Sequence, residues 1–179
     1  IYMEGHIYSE YGKMGMGVLR YLENKIVCVI DSKFSNSNIK DHYPNLKPVP
    51  IVNDLESAIK LRAEVLILGI APSGGKVPSD WYPVIKMALS KGLSIINGLH
   101  DLLENRFSNL ITKKNQWIWD VRVPNFIPEI ATGKAAKLNN KRLLMVGTDM
   151  ACGKMTTALE VLTWSKQNKL KSGFIATGQ

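Results

Sequence analysis

Cysteine and long apolar runs are both scarce in this sequence, and each scarcity excludes a class of protein. The two cysteines, Cys28 and Cys152, have no paired spacing, which argues against a disulfide framework or a zinc site and favours a reducing compartment. No apolar run approaches the roughly 20 residues of a membrane-spanning helix, and residues 1–4 do not start a signal peptide. We therefore expect a cytoplasmic protein with no membrane partner.

Acidic side chains are also outnumbered, with 15 Asp and Glu against 23 Lys and Arg and a formal net charge of +8. Residues 132–179 hold much of this excess, since they contain eight basic residues and only two acidic ones, Asp149 and Glu160. A basic segment suits an anionic ligand, although lysines on solvated faces are its commoner cause. The charge alone predicts no nucleic-acid partner.

Alternating apolar runs and helical patterns predict an α/β protein. Runs at residues 26–30, 64–70, 93–97 and 117–123 predict strands, and most of them are continuous, as in a parallel sheet covered on both faces. Asn53 is placed to cap the helix before the second of these strands. We predict a Rossmann-like parallel-sheet domain over residues 1–123, a linker over residues 124–140, and a second α/β domain beginning at residue 141.

The second domain is expected to begin with a phosphate-binding loop. Residues 142–146 are apolar and short enough for a buried strand, and apolar residues recur at helical spacing from Met155 to Lys166. Gly147 and Gly153 allow close approach of the backbone, the first helical amides lack partners, and Lys154 can reach terminal phosphates. The phosphate-binding candidates are Gly147, Thr148, Asp149, Met150, Ala151, Cys152, Gly153, Lys154, Met155, Thr156 and Thr157, with Lys154 also a catalytic candidate.

This loop departs from the usual pattern of Gly, four residues, Gly, Lys and Ser or Thr. Five residues separate Gly147 from Gly153, and Met155 stands where a hydroxyl would hold magnesium. Thr156 or Thr157 must supply that oxygen if Mg²⁺ binds, and Thr156 is our metal-binding candidate. A turn followed by a helix start needs no ligand at all, so this plainer interpretation stays open.

Further candidates follow the predicted strands of the first domain, because open α/β sheets bind ligands at the carboxyl ends of their strands. Ser73, Gly74 and Gly75 form a second candidate anion site, and a connecting loop is the alternative. His100 is the candidate base, since neutral imidazole takes up protons near pH 7, and a helix cap is the alternative. Asp31 could bind a ribose hydroxyl, although a lone carboxylate more often forms a turn.

The glycines at positions 12, 15 and 17 suggest a dinucleotide fingerprint only superficially. Their spacing, Gly-x-x-Gly-x-Gly, is the reverse of the order that the fingerprint requires. Close packing at the start of a helix explains them better. We therefore do not predict a cofactor at these glycines.

The phosphate loop resembles those of two known families. Its version with Met155-Thr156-Thr157 is similar to that of the D-glutamate N-acetyltransferase-like P-loop family, long catalogued as a domain of unknown function. Its five-residue spacing also resembles dethiobiotin synthetase. The first likeness extends to further segments in the expected order: residues 11–21, 26–31, 65–75, 98–101, 120–122 and 176–179.

The first resemblance implies an acyltransferase that moves an acetyl group from acetyl-CoA to the amine of a D-amino acid, D-glutamate in the best-known members. An ATP-dependent enzyme of the dethiobiotin synthetase kind, using Mg²⁺, and a non-catalytic nucleotide-binding protein are the alternatives. The expected partners are an amino acid and a nucleotide-containing cofactor, acetyl-CoA or ATP, and a homo-oligomer stays open.

The predicted P-loop NTPase-like domain has too few elements in this sequence. Residues 141–179 supply one strand, one helix and part of another strand, which cannot cover both faces of a parallel sheet. We expect the chain to be truncated, as the amino-terminal part of a longer protein cut inside its second domain.

Overall fold

The computed structural model describes residues 1–124, 127, 129–149 and 152–176, and it divides into two compact units, Ile1–Ile127 and Pro128–Gln179. The strands of the first unit are β1 (Val29–Ile30), β2 (Ile51–Val52), β3 (Val65–Ile67), β4 (Ser94–Asn97) and β5 (Ile118–Asp120). Its helices are α1 (Lys13–Tyr21), α2 (Ile39–His42), α3 (Leu55–Lys60), α4 (Tyr82–Ser90) and α5 (Leu103–Phe107), and the second unit contains α6 (Lys154–Gln167). Within the described residues, no helix is long and apolar enough to cross a bilayer.

The strands of the first unit join through the amino-terminal segment, residues 1–3, into one parallel arrangement. β1 pairs with β2, and β4 pairs with both β3 and β5. Tyr2 bridges Ile30 on one side and Leu68 on the other, so the segment lies between β1 and β3. The order β2, β1, residues 1–3, β3, β4, β5 is the 3-2-1-4-5-6 order of Rossmann folds. The predicted Rossmann-like domain is therefore confirmed.

Helices cover opposite faces of this sheet, as the doubly wound topology requires. On one face, α3, α4 and α5 contribute to a core that includes Leu55, Ala58, Ile85, Leu89, Leu103 and Phe107, packed with Ile30, Leu66 and Ile95 of the strands. On the other face, α1 and α2 contribute to a core that includes Met16, Leu19 and Ile39, packed with Met3, Val29 and Ile51. The second core covers β1 and β2, whereas Trp119 of β5 is 51% exposed on the face opposite the first core.

Most predicted elements of the first unit are present, although the strands are shorter than the apolar runs. Among the helices, α4 has Pro83 in its first turn and Gly92, at φ +83°, after its end. The predicted cap of α3 was wrong by one residue. Asp54 accepts the hydrogen bond from the Ser57 amide at 2.8 Å, and Asn53 instead donates to the Asp54 carboxylate.

The second unit confirms the predicted helix as α6, but the predicted strand before it was wrong. Residues 142–146 form no strand, and Leu143, Leu144 and Val146 are 72%, 71% and 79% exposed. No strand start is present at residues 170–176 either. A buried strand needs hydrogen-bonded neighbours on its edges, and the described residues of this unit contain no strand that could pair with either segment.

Candidate functional site

The start of α6 provides backbone donors that have no partner within the helix, beside the predicted phosphate loop. Gly153 is the cap residue at φ +94°, a left-handed conformation that glycine adopts without strain. The first helical hydrogen bond of α6 runs from the Thr157 amide to the Gly153 carbonyl at 2.9 Å. The amides of residues 154–156 precede it and have no partner within the helix, so they can bind an anion together with the positive end of the helix dipole.

Gly147 lies at the beginning of the loop and packs against the side chains of Cys152 and Lys154 at the end of the loop. A β-carbon added at Gly147 would lie 2.3 Å from Cys152 Sγ and 3.3 Å from Cγ and Cδ of Lys154. Any larger residue would therefore push the two side chains apart. The requirement for glycine here comes from close approach, whereas at Gly153 it comes from the backbone torsion.

Lys154 folds back over the loop rather than extending into solvent. Its ammonium donates hydrogen bonds to the Asp149 carbonyl at 2.5 Å and to Cys152 Sγ at 3.5 Å. Desolvation by itself raises the pKa of the Cys152 thiol, but hydrogen bonds from Lys154 and the backbone, with the charge of Lys154, lower that pKa overall. Of the remaining predicted loop residues, Met150 and Ala151 lie outside the described residues.

The structure distinguishes the two threonines that could replace the missing hydroxyl at Met155. Thr157 Oγ1 already donates to the Gly153 carbonyl at 3.0 Å. Thr156 is exposed, and its hydroxyl makes no hydrogen bond to any described residue. Elsewhere in the described part of the chain, no cluster of three or more His, Cys, Asp or Glu side chains has metal-site geometry. Thr156 thus stays the predicted ligand for Mg²⁺.

In the first unit, the structure brings together two candidates that lie 25 residues apart, Gly75 and His100. The loop after β3 turns through Gly74 and Gly75, at φ +78° and +64°. The His100 amide donates to the Gly75 carbonyl at 2.8 Å, and a β-carbon on Gly75 would lie 2.3 Å from His100 Cδ2. His100 is exposed, so its imidazole can meet a ligand. Both residues belong to the first unit, whereas the phosphate loop belongs to the second.

Sequence reasoning missed the buried polar network that holds these strand ends. The Asn97 amide nitrogen donates to Asp120 Oδ1 at 2.8 Å and to the Asp101 carbonyl at 2.7 Å. The Asp120 carboxylate also accepts from the backbone amides of residues 103 and 104. Asp101 in turn accepts from the Val77 amide at 2.6 Å. The network fixes the loop that carries His100, and its sequence signal is a polar residue at the end of each of two neighbouring apolar strands.

Together, the fold and the loop define an α/β protein with a Rossmann-like first domain and a P-loop in the second. Residues 32–124 match a Rossmann-like domain of unknown function, DUF1611_N, and residues 129–179 match the P-loop domain of the same family, DUF1611_C. The chain belongs to the DUF1611 family.

Curated relatives in this family carry an enzyme name. A D-glutamate N-acetyltransferase from a Pseudoalteromonas species is 42% identical over 125 residues, which cover 68% of this chain and 37% of the relative. Another from Tritonibacter scottomollicae is 39% identical over 127 residues, which cover 70% of this chain and 38% of the relative. The matched region is therefore well under half the length of these relatives.

A solved structure shares the fold. The crystal structure of a DUF1611 family protein from Anabaena variabilis ATCC 29413 is 39% identical to this chain, with a TM-score of 0.90. The match covers 98% of this chain and 52% of that chain. The chain thus spans about half the length of this structural relative.

Proposed function

We propose that this protein is an N-acetyltransferase that moves the acetyl group of acetyl-CoA to the amine of a D-amino acid such as D-glutamate. The observation that carries the proposal is the α6 start, where amides without a partner inside the helix lie in one loop with the Lys154 ammonium. The name of the two relatives supports the acyl group and the acceptor. Coenzyme A bears a diphosphate and a further phosphate, which are the anions that such a loop recognises.

Binding would exchange one partner of Lys154 for another. In the structure its ammonium rests on the neutral Asp149 carbonyl. A phosphate oxygen forms a stronger, charge-assisted hydrogen bond than a carbonyl does, so the ammonium can leave Asp149 for the ligand. The backbone amides of residues 154–156, at the start of α6, would donate further hydrogen bonds to the same phosphate.

The acyl transfer itself needs a base. An amine attacks the thioester carbonyl, the new C–N bond forms as the C–S bond breaks, and the amine proton must leave while the CoA thiol departs. We propose His100 as that base. Its position supports this role because the backbone hydrogen bond to Gly75 and the contact with that glycine fix an exposed imidazole at a strand end.

An ATP-dependent reaction of the dethiobiotin synthetase type is the second candidate. Two observations favour it: the five residues between Gly147 and Gly153, and the Thr156 hydroxyl that is available for Mg²⁺. In that reaction Lys154 and the metal would stabilise charge on a transferred phosphoryl group. The two reactions differ in what they release, namely a free thiol or inorganic phosphate.

A ligand comparison followed by a product assay tests the proposal. We expect acetyl-CoA and CoA to raise the melting temperature, because a ligand that binds only the folded state stabilises it, and we expect MgATP to raise it less. Acetyl-CoA with D-glutamate should then release free thiol, measured with a thiol reagent. Phosphate release from ATP instead would establish the ligase reaction. Binding without turnover across D-amino acids would indicate a nucleotide-binding protein without catalysis.

A further inference from the structure

Asp31 is a buried carboxylate, and one of its two oxygens lacks a hydrogen-bond donor among the described residues. It follows β1, its amide donates to the Val52 carbonyl at 3.0 Å, and its side chain is fully buried. Oδ1 accepts from the Lys33 amide at 3.1 Å, whereas Oδ2 receives no hydrogen bond from the described part of the chain. A buried polar atom without a partner is costly and rare, so a donor from outside the chain is expected at Oδ2.

The position of Asp31 in the sheet indicates what that donor is. In the order β2, β1, residues 1–3, β3, β4, β5, Asp31 ends the second strand of the first half. In Rossmann folds, an acidic residue at the end of that strand accepts hydrogen bonds from ribose hydroxyls. The orphaned oxygen and the topology are independent observations, and both place an acceptor for a hydroxyl at this edge.

The start of α1 excludes the usual pose of a dinucleotide. The Gly15 amide, in the first turn of α1, donates to the Gly69 carbonyl at 2.7 Å, and a β-carbon at Gly12 would lie 2.1 Å from the His6 carbonyl oxygen. Backbone thus occupies the space where a pyrophosphate would meet the helix. The ligand is therefore expected to bind through its ribose, without a pyrophosphate at this helix.

Asp31 is followed by a surface residue, Ser32, at the same strand end. Ser32 is exposed, and its amide and hydroxyl both donate to the Glu4 carboxylate on the neighbouring strand end. These contacts are at the surface, next in the chain to the buried carboxylate.

We propose that the carboxyl edge of the first unit binds a ribonucleotide, with a ribose hydroxyl donating to Asp31 Oδ2 when the Glu4 contacts with Ser32 open. The site goes beyond the acyl transfer proposed above and does not use the phosphate loop. Its failure and the failure of the proposed enzyme activity are therefore separate results.

The test uses a protein in which Lys154→Ala weakens the phosphate loop, so that binding in the first unit is measured separately. Calorimetry compares the four common ribonucleoside monophosphates with their 2′,3′-dideoxy counterparts. We expect at least one ribonucleotide to bind and its dideoxy form to bind on the order of 10-fold more weakly, the effect of a lost charge-assisted hydrogen bond. Adding Asp31→Asn should weaken the ribonucleotide by a similar factor.

The matched control is Asp54→Asn, because Asp54 is an exposed carboxylate after β2 whose oxygens have hydrogen-bond partners. It should leave ribonucleotide affinity unchanged. If the Asp31→Asn protein does not fold, the proposal is tested only by the affinities of the Lys154→Ala protein for the ribonucleotide and for its dideoxy form. The proposal is overturned by no ribonucleotide binding, by equal affinity for the dideoxy form, or by unchanged affinity in a folded Asp31→Asn protein.

Discussion

The imidazole of His100 lies where a side chain on Gly75 would stand. A β-carbon at Gly75 would come 2.3 Å from His100 Cδ2, and the His100 amide donates to the Gly75 carbonyl at 2.8 Å. The loop after β3 therefore sets the position of the loop after β4 through both backbone and side chain. Changes at Gly75 are expected to act through His100, and the neighbouring glycine provides a control for this expectation.

Gly75→Ala should destabilise the protein more than Gly74→Ala. Both positions have positive φ, so each substitution costs about 1 kcal/mol from the left-handed backbone. Only Gly75 adds a steric conflict, since nothing lies within 4 Å of a β-carbon at Gly74. We expect a further loss of about 0.5–1.5 kcal/mol at Gly75, measured by urea denaturation, because the exposed imidazole must move off its rotamer.

A double-mutant cycle assigns the extra loss to the imidazole. In a His100→Ala background, Gly75→Ala should cost no more than Gly74→Ala, because the conflicting ring is gone. If the excess at Gly75 persists without the imidazole, the described contact is not its cause.

Cys152 should react with iodoacetamide faster than Cys28 near pH 7.5. The hydrogen bonds and charge of Lys154 lower the pKa of Cys152 despite partial desolvation, which enriches the thiolate at this pH. Cys28 is buried, and burial raises the pKa of its thiol. Labelled peptides quantified by mass spectrometry give the two rates, with Cys28→Ala as the control for site assignment.

Removing the Lys154 charge tests the cause of this reactivity. Lys154→Ala should slow the labelling of Cys152 at pH 7.5. The Cys152 rates of the native and Lys154→Ala proteins should converge well above pH 9, where the Cys152 thiol is ionised in both. Equal rates at pH 7.5 would show that Lys154 does not lower the thiol pKa.

Asp54 should stabilise the protein at neutral pH and lose this effect in acid. The Ser57 amide, followed by the Asn53 side chain, lowers the pKa of Asp54 from its ordinary value of 3.8 to about 2. Because the folded pKa is below the unfolded one, the stabilisation is complete above about pH 5 and falls as the pH drops towards about 2. Asp54→Ala should therefore lower the melting temperature at pH 7.

Stability measured at decreasing pH tests whether the charge of Asp54 stabilises this helix cap. The difference in stability between the native protein and Asp54→Ala should shrink between about pH 4 and pH 2. Asn53→Ala should have a smaller effect at pH 7, because Asn53 only supports the carboxylate. A difference that stays constant with pH would mean that the charge of Asp54 contributes nothing.

The sequence predicted β1, β3, β4 and β5 because each lies in a short apolar run, but it did not predict β2 at Ile51–Val52. It did not show that residues 1–3 occupy the centre of the sheet, since Tyr2 pairs with residues 28 and 66 positions away and such pairing leaves no local pattern. The cap at Asp54 was missed by one residue because Asn53 and Asp54 are both suitable caps, and only the backbone decides between them.

At residues 142–146 the sequence predicted a strand that the structure does not contain. The apolar residues of this segment fit a buried strand, but composition does not reveal whether a neighbouring strand is present to pair with it. In the phosphate loop, the glycines and Lys154 were predicted from spacing, and their structure is compatible with anion binding. Which anion binds there, like the roles of His100 and Thr156 and the bounds of the linker, stays a prediction.

The most direct test of the account is the affinity of the protein for acetyl-CoA before and after removal of the Lys154 ammonium. We expect Lys154→Ala to weaken binding about 100-fold by calorimetry, because a charge-assisted hydrogen bond to phosphate contributes up to about 3 kcal/mol. Lys171→Ala, an exposed lysine beyond α6, should leave the affinity unchanged. Unchanged affinity in a folded Lys154→Ala protein would contradict the assignment of this loop as the phosphate-binding site.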